Sequence, residues 1–182
     1  MKRLYFVRHG QTDMNVSGHM SGTSNAQLTD DGKAQATAAG QWARDNGLVF
    51  DVILASPQDR AKHTAQHIAR QVDYDLDGII THHDLRERDF GVAEGVHHLE
   101  VDGFMERAEN PFSMDHIQDI ETVMDLQYRA KQVLEHLHTL PHETILVVSH
   151  GVFGRALRRA IQNTPITEHG EALQNAQIVQ LI

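Results

Sequence analysis

Two short polar segments, each directly after an apolar run, carry the residue types most suited to chemistry in this chain. Residues 8–10, Arg-His-Gly, follow the apolar residues 4–7, and residues 149–151, Ser-His-Gly, follow the β-branched run 144–148. Apolar runs of this length predict buried strands. Because open α/β sheets bind ligands at the carboxyl ends of their strands, the two basic imidazoles are expected together at one sheet edge, where a reactive side chain would lie.

Two arginines are expected in the same crevice. Arg8 precedes the first histidine, and Arg60 lies in the first turns of a helix that we predict to begin at Ser56, with Ser56 as the N-cap. Arginine donors match phosphoryl oxygens, and helix N-termini after Ser56 and His150 direct free backbone N–H groups at an anion. Gly10 and Gly151 allow the backbone to approach closely. The pattern predicts a pocket for a phosphate dianion.

Each of these residues also has a purely structural interpretation. His9 could be a surface histidine beside a solvated arginine, and His150 could be a hydrogen-bonded histidine of the core. Arg60 could pair with an acid on its own helix. The convergence of all four at one sheet edge favours the phosphate pocket.

Four segments of the sequence carry a resemblance to a known family. They are residues 8–12 (RHGQT) with Asn15, residues 56–65 (SPQDRAKHTA), residues 85–91 (LRERDFG) with Glu94-Gly95, and residues 148–151 (VSHG). In this order they resemble the signature segments of the histidine phosphatase superfamily, also called the phosphoglycerate mutase-like family, and cover the chain from residue 3 to about residue 160. The sequence departs from the family at Met14, where many members have an aromatic residue.

The resemblance implies a role for each matching residue. His9 would be the nucleophile that forms phosphohistidine, and Glu87 would donate a proton to the leaving oxygen and then activate water. The phosphoryl oxygens would be bound and stabilised by Arg8, Arg60 and His150, and the cradle completed by Gly10, Gln11, Asn15 and Gly151. No metal and no other cofactor is required.

The sequence alone leaves the identity of the catalytic acid open. Glu87 could instead form an ion pair with Arg86 or Arg88, and Asp89 and Glu94 are rival acids.

The spacing of the segments favours a phosphatase. Only 63 positions separate Glu87 from His150, which leaves a short insertion over about residues 91–121 as the predicted lid. The mutases usually have longer insertions, and Gln11-Thr12 resembles the phosphatases. Basic residues in and near the lid are few, which favours a simple, small phosphate monoester. The alternatives are a phosphoglycerate mutase-type transfer and a non-catalytic module that binds phosphorylated ligands.

The order of predicted elements indicates the fold that positions these residues. Strand and helix patterns alternate along the chain, which predicts a three-layer α/β/α fold with a mostly parallel central sheet, in one domain over residues 1–182. Residues 144–148 are expected as a central strand and residues 176–182 as the last one. We expect Ala34, Ala38 and Trp42 on one face of a helix that follows Thr29, and a short helix over residues 97–109 in the lid.

Composition excludes several classes of protein. The 182-residue chain has a formal net charge of −9, which argues against nucleic acid as a partner, and it has no cysteine. No apolar stretch approaches the roughly 20 residues of a membrane span. We therefore expect a cytoplasmic protein with a small phosphorylated substrate; nothing indicates an oligomeric state. The pairs His82-His83 and His97-His98 and the pair His63 and His67 are better explained as solvated than as metal ligands.

Overall fold

The chain forms a five-stranded sheet with helices on both faces. The computed structural model describes residues 2–108, 110, 112–164 and 173–182. The strands are β1 Arg3–Arg8, β2 Val52–Ala55, β3 Ile80–Thr81, β4 Thr144–Ser149 and β5 Ile178–Gln180. The helices are α1 Asp13–Ser17, α2 Asp30–Asp45, α3 Asp59–Gln71, α4 Val123–Thr139 and α5 Gly151–Gln162.

The sheet is mostly parallel, with the strand order β3-β2-β4-β1-β5. β4 is buried along its whole length and pairs in parallel with both β1 and β2, as expected for a central strand. β5 is antiparallel to β1 at one edge and is shorter than the predicted strand over residues 176–182. In the register of β1 and β4, Arg8 lies opposite Ser149, so the residues that follow the two strands leave the sheet at the same level.

Alternation along β1 divides the core into two layers. Leu4 and Phe6 pack in one apolar cluster with residues of α4 and α5. Tyr5 and Val7 pack in the other with residues of α2 and α3. Because successive side chains of a strand point to opposite faces, the two clusters lie on opposite sides of the sheet. The predicted three-layer α/β/α architecture is confirmed.

The face of α2 that carries Ala34, Ala38 and Trp42 is not the face that packs on the core. Ala34, Ala38 and Trp42 are exposed, and Trp42 retains 49% of its accessible surface. The buried face consists of small residues instead: Gly32, Ala36, Ala39, Gly40 and Ala43. Close packing of α2 on α3 explains why this face carries only small residues, because a Cβ on Gly40 would lie 2.7 Å from the Cβ of Gln71 on α3. Only a face without large side chains allows this helix contact.

The start of α3 also differs from the prediction. The helix begins at Asp59, with Gln58 rather than Ser56 as its N-cap residue, and no side chain caps it. Ser56 lies in the loop before the helix, fully buried, where its hydroxyl contacts His150. Arg60 is therefore the second residue of α3.

The predicted lid, residues 91–121, contains turns in place of the helix expected over residues 97–109. Short 3₁₀ turns occupy Gly91–Ala93, His98–Glu100 and Glu106–Ala108; Glu109 and Pro111 lie outside the described residues. Gly103 interrupts the expected helix, because its φ is +75° and a Cβ there would lie 2.2 Å from the carbonyl oxygen of Ser113. In the described part of the chain, no helix is both long and apolar enough to cross a membrane.

Candidate active site

The ends of β1 and β4 bring His9 and His150 together. Their ring centroids are 5.2 Å apart, with the ring planes at 60° to each other. His9 retains 4% of its accessible surface and His150 none. His9 is fixed through its backbone, whose N–H donates to Ser149 O at 2.9 Å and whose carbonyl accepts from Asn175 Nδ2 at 2.8 Å. Neither histidine is a surface residue.

The hydrogen bonds of the His9 ring leave one nitrogen open. Nδ1 lies 2.7 Å from Gly10 O, which can only accept, so this nitrogen carries the proton. Nε2 then has a lone pair, as a nucleophile requires. The backbone N–H of Gly10 donates to Thr64 Oγ1 at 3.0 Å, which ties the loop to α3. A Cβ on Gly10 would lie 2.3 Å from Gly32 O, so glycine is needed here to pack against the first turn of α2.

Both ring nitrogens of His150 are occupied by protein groups. Arg60 Nε donates to Nδ1 at 3.2 Å, which fixes Nδ1 as the unprotonated nitrogen. Nε2 therefore carries the proton and donates to Ser56 Oγ at 2.8 Å. His150 is therefore oriented from two sides, and its predicted contact with a phosphoryl oxygen stays a prediction, because both ring nitrogens are engaged by protein groups.

Burial keeps both imidazoles neutral. Removal from water lowers the pKa of His9 well below 6.5, and the positive charges of Arg60 and then Arg8 lower it further. The pKa of His150 is also lowered well below 6.5, first by burial and then by Arg60 and His9. A neutral imidazole is the form that can attack phosphorus.

Arg60 is held by backbone carbonyls rather than by an acid. Nη1 donates to Ser24 O at 2.7 Å, and Nη2 donates to Gly22 O at 2.7 Å and to Ser21 O at 3.2 Å. Asp59, the acid beside it, pairs with Lys62 at 2.9 Å. Arg60 therefore keeps its full positive charge next to His150, and pairing with an acid on its own helix is not its role.

Glu94 shapes the loop that holds Arg60. Its carboxylate oxygens accept from the backbone N–H groups of Gly22, Thr23 and Ser24 at 3.1, 2.9 and 3.2 Å. They also accept from Phe90 N at 3.1 Å. The acid thus turns the carbonyls of residues 21–24 towards the guanidinium. From the sequence, Glu94 was part of a segment that resembles the family and a rival catalytic acid, and its positioning role was not predicted.

Arg8 has a buried donor without a partner. Nη1 donates to Leu173 O at 3.1 Å, but Nε is buried and has no hydrogen-bond partner among the residues that the structure describes. A Cβ on Gly151 would lie 3.3 Å from this Nε, so Gly151 leaves room for the guanidinium at the start of α5. Buried donors are nearly always paired in proteins, and an orphaned one beside a helix N-terminus suits the binding of an anion.

Glu87 lies against the N-terminus of α5. One carboxylate oxygen accepts from Phe153 N at 2.8 Å and Arg88 N at 2.9 Å, and the other accepts from Val152 N at 3.0 Å. His150, the N-cap residue, provides no side-chain cap, so Glu87 supplies the acceptors that the first turn needs. Glu87 retains 6% of its accessible surface. Burial lowers the pKa of Arg8 and of Arg60, and the negative charge of Glu87 opposes this shift in both.

The alternative ion pairs of Glu87 are not formed. Arg86 Nη1 pairs with Asp84 at 3.0 Å, and Arg88 Nη2 pairs with Asp115 at 2.5 Å.

A buried pair on α4 and the preceding loop supports the segment around Glu87. Arg129 Nη2 lies 2.6 Å from Glu121 Oε2 and 3.3 Å from Glu87 O. Its Nη1 donates to Asp84 O and Arg86 O at 2.7 and 2.8 Å. Nothing in the local pattern of α4 distinguishes this arginine from an exposed one, so its role cannot be predicted from the sequence.

The two remaining predicted cradle residues are engaged locally. Asn15 Oδ1 accepts from Thr12 N at 3.2 Å in a capping box at the start of α1. The backbone N–H of Gln11 donates to Gln35 Oε1 at 2.9 Å. Their contacts with phosphate stay predictions. No group of three or more His, Cys, Asp or Glu in the described ranges is placed to hold a metal ion.

Known sequences match most of the chain. A sequence model of the histidine phosphatase superfamily (branch 1) matches residues 4–182. The 2,3-bisphosphoglycerate-dependent phosphoglycerate mutase of Brucella anthropi is 33% identical over 172 residues, covering 88% of this chain and 81% of the mutase.

Two solved structures are similar along almost the whole chain. A putative alpha-ribazole-5'-P phosphatase from Escherichia coli superposes with a TM-score of 0.83 at 27% identity, over 99% of this chain and 90% of that one. A mutant of the phosphoserine phosphatase of Entamoeba histolytica, in complex with phosphoserine, has a TM-score of 0.83 at 26% identity, with coverage of 99% and 90%.

Proposed function

Because the chain belongs to the histidine phosphatase superfamily (branch 1), we propose that it hydrolyses a small phosphate monoester through a phosphohistidine on His9, without a metal ion. The observation that carries the proposal is the state of His9. Its Nδ1 is fixed by Gly10 O, its pKa is lowered well below 6.5 by burial, and Nε2 is open at the sheet edge. The similar structures of phosphatases support hydrolysis as the reaction.

The first step transfers the phosphoryl group to the protein. The Nε2 lone pair of His9 forms a bond to phosphorus as the bond from phosphorus to the ester oxygen breaks in line. Glu87, in its protonated form, gives its proton to that leaving oxygen. The alcohol then departs, and Glu87 is left as a carboxylate whose oxygens face the N–H groups of α5.

The second step uses water. Glu87 takes a proton from the water while the water oxygen forms a bond to phosphorus, and the bond from phosphorus to Nε2 breaks. Inorganic phosphate leaves, and His9 returns to its neutral form. Splitting one displacement into two lets the same fixed positive charges act in both transition states.

The charges for both steps come from three elements. Arg60 on α3 and Arg8 at the end of β1 supply guanidinium groups, and the start of α5 supplies the positive end of a helix dipole. The orphaned Nε of Arg8 is the donor that a phosphoryl oxygen would satisfy. A fixed donor in a buried site is worth roughly 3–4 kcal/mol of transition-state stabilisation.

Mutase activity is the second candidate function, because relatives about 30% identical to the chain bear that name. The short lid predicted from the 63 positions between Glu87 and His150 favours a phosphatase over a mutase. Less cover over the site gives water easier access to the phosphohistidine, which favours hydrolysis over transfer to a second substrate.

The test is a panel of phosphate monoesters assayed for release of inorganic phosphate without added metal and with a chelator present. We expect turnover by the wild type and a loss of at least about a thousandfold in His9→Ala, since the nucleophile is removed. His63→Ala, which changes an exposed histidine of α3, is the matched control and should retain wild-type activity.

Two other outcomes would replace the proposal. Conversion of 3-phosphoglycerate to its isomer in the presence of a bisphosphate primer, faster than phosphate release, would make the chain a mutase. Binding of phosphate with no turnover of any monoester would make it a binding module. Unchanged turnover in His9→Ala would exclude the mechanism.

A further inference from the structure

Gln58 is a polar residue beside the site whose side chain the proposed chemistry does not use. It is the N-cap residue of α3, two positions before Arg60, yet its side chain does not cap that helix. Glutamine is longer than the serine, threonine, aspartate or asparagine that usually caps a helix. Because of this length the Gln58 amide can reach other segments, and it contacts two of them.

Each end of the Gln58 amide contacts a backbone group of a different loop. Oε1 accepts from Glu87 N at 3.0 Å, and Nε2 donates to Gly22 O. Since a backbone N–H can only donate and a carbonyl can only accept, the two contacts fix which end of the amide is oxygen and which is nitrogen. Glutamate lacks the donor and methionine lacks both groups, so neither residue type can replace the amide at both ends.

Gln58 also contacts the partners of the two other groups that hold the site together. Gly22 O accepts from Arg60 Nη2 at 2.7 Å as well, so one carbonyl holds both side chains. The hydroxyl of Ser56, which accepts from His150, also accepts from Gln58 N at 3.3 Å and donates to Gln58 Oε1 at 3.4 Å. Gln58 is thus connected to the groups that orient Arg60 and His150.

Glu87 needs support from side chains because it lies in neither a helix nor a strand. Its backbone N–H donates to Gln58, and its backbone carbonyl accepts from Arg129 Nη2 at 3.3 Å. Backbone groups removed from water require partners, and in an irregular segment side chains must supply them. The two contacts therefore fix the chain on both sides of the Glu87 Cα.

We propose that Gln58 is a positioning residue for Glu87, and that it holds the proton donor at a fixed distance from Arg60 and His150. This inference rests on the proposed function, in which Glu87 protonates the leaving oxygen. A general acid must lie within hydrogen-bond distance of the oxygen that it protonates, so a small displacement of the acid is costly. Removal of the Gln58 amide should therefore weaken proton donation while His9 remains in place.

Two aryl phosphates separate proton donation from the rest of the reaction. Phenyl phosphate and p-nitrophenyl phosphate differ in one nitro group, which stabilises the phenolate so that it can depart without a proton. Because kcat/KM covers the steps up to departure of the phenol, the ratio of kcat/KM for the two substrates measures the contribution of the acid. We expect Glu87→Gln to lower kcat/KM by at least about a hundredfold for phenyl phosphate and far less for p-nitrophenyl phosphate.

Gln58→Met keeps an unbranched side chain of similar length and removes both hydrogen bonds of the amide. We expect kcat/KM for phenyl phosphate to fall by roughly fivefold to tenfold, the effect of one hydrogen bond, with little change for p-nitrophenyl phosphate. Gln58→Ala should shift the ratio in the same direction, and it carries the test if Gln58→Met fails to fold. Gln66→Met changes another half-buried glutamine of α3 and, as the matched control, should keep the wild-type ratio.

The outcomes separate this inference from the proposed function. If Glu87→Gln shows the expected dependence on the leaving group but both Gln58 variants keep the wild-type ratio, Gln58 does not position the acid and the proposed function stands. An equal loss for both substrates in the Gln58 variants would also overturn the inference, because it would mean that the amide serves only the fold or the binding of phosphate. If Glu87→Gln lowers kcat/KM equally for both substrates, Glu87 is not the proton donor, and that part of the proposed function fails together with the inference.

Discussion

At the scale of single residues, the two histidines of the site differ in what their ring nitrogens contact. In the described part of the chain, the His9 ring forms a hydrogen bond through Nδ1 alone, to Gly10 O. Both ring nitrogens of His150 form hydrogen bonds, Nδ1 with Arg60 and Nε2 with Ser56. This asymmetry distinguishes the candidate nucleophile from a histidine that the protein holds on both sides. The types of the two residues are identical, and the difference depends on the partners of His150, Arg60 and Ser56, which are 90 and 94 positions away in the chain.

The protonation of His9 can be predicted from its surroundings. Burial and the charges of Arg60 and Arg8 lower its pKa well below 6.5, so the ring should stay neutral as the pH falls through that value. Histidine NMR resonances, followed from about pH 7.5 to about pH 5.5 and assigned with His9→Gln, measure this directly. A full titration of His9 with a midpoint near 6.5 would contradict the buried, neutral nucleophile.

Ser56 is predicted to position His150. In Ser56→Ala the Nε2 proton of His150 loses its acceptor at 2.8 Å in a fully buried place, which costs about 1–3 kcal/mol of stability. Because the tautomer is then fixed only by Arg60, we expect kcat/KM to fall by roughly tenfold. Ser56→Thr keeps the hydroxyl and should recover part of the activity; Ser17→Ala, at an exposed serine, is the control. Equal loss in the Thr and Ala variants would mean that the hydroxyl has no orienting role.

At the scale of elements, the site is assembled where three segments meet the ends of β1 and β4. The start of α5 is capped by Glu87, the start of α3 carries Arg60, and the loop 21–24 surrounds the Arg60 guanidinium with carbonyls. Two residues outside the proposed chemistry support these elements: Glu94 holds the loop 21–24, and Arg129 holds the segment around Glu87.

Glu94→Gln should loosen the loop without removing a charge that contacts the ligand. The amide keeps one acceptor oxygen where the carboxylate satisfied four N–H groups, so we expect a loss of about 1–3 kcal/mol in the free energy of unfolding. Arg60 would be held less firmly, and KM should rise several-fold. Urea unfolding and steady-state kinetics measure the two effects. Glu135→Gln, on the exposed face of α4, should change neither; a similar change in both variants would show only a general effect of charge.

The elements that the sequence predicted well are those with strong patterns. Buried strands read as continuous apolar runs, so β4 was recognised as central, and the strand-end histidines followed from it. The buried face of α2 could not be predicted from hydrophobicity, because it consists of glycines and alanines, including Gly40, while the large apolar residue Trp42 is exposed. The supporting roles of Glu94 and Arg129 depend on long-range contacts that leave no local pattern in the chain.

At the scale of the whole molecule, the chain places neutral histidines and positive arginines inside a protein with a net charge of −9. The acids that would neutralise the site are directed elsewhere: Glu94 to backbone N–H groups, Asp115 to Arg88 and Glu121 to Arg129. The result is a local positive potential in an acidic protein. Such a field attracts small anionic ligands.

Acid should destabilise the whole fold through its two buried histidines. The pKa of His9 and that of His150 are well below 6.5 in the folded chain, whereas histidines of the unfolded chain titrate near 6.5. Below that pH the unfolded state binds protons that the folded state does not. The free energy of unfolding should therefore fall by about 1.4 kcal/mol per pH unit for each histidine.

Urea unfolding at about pH 6.5 and about pH 5 measures this slope. His150→Gln should reduce this slope by the contribution of one histidine. His67 and His82, whose pKa is also lowered by burial, contribute equally to the slope in the wild type and in the variant. A slope in His150→Gln as steep as that of the wild type would contradict the neutral, buried state of His150.

The most direct test of the phosphoryl-transfer reaction is to trap the intermediate. The wild type is mixed with a substrate that it turns over, quenched in alkali within one turnover, digested and examined by mass spectrometry. We expect one phosphoryl group on the peptide that contains His9, lost on treatment with acid, and no such adduct in His9→Ala. Steady turnover with no adduct on His9, or an adduct on another residue that persists in His9→Ala, would show that His9 is not the nucleophile.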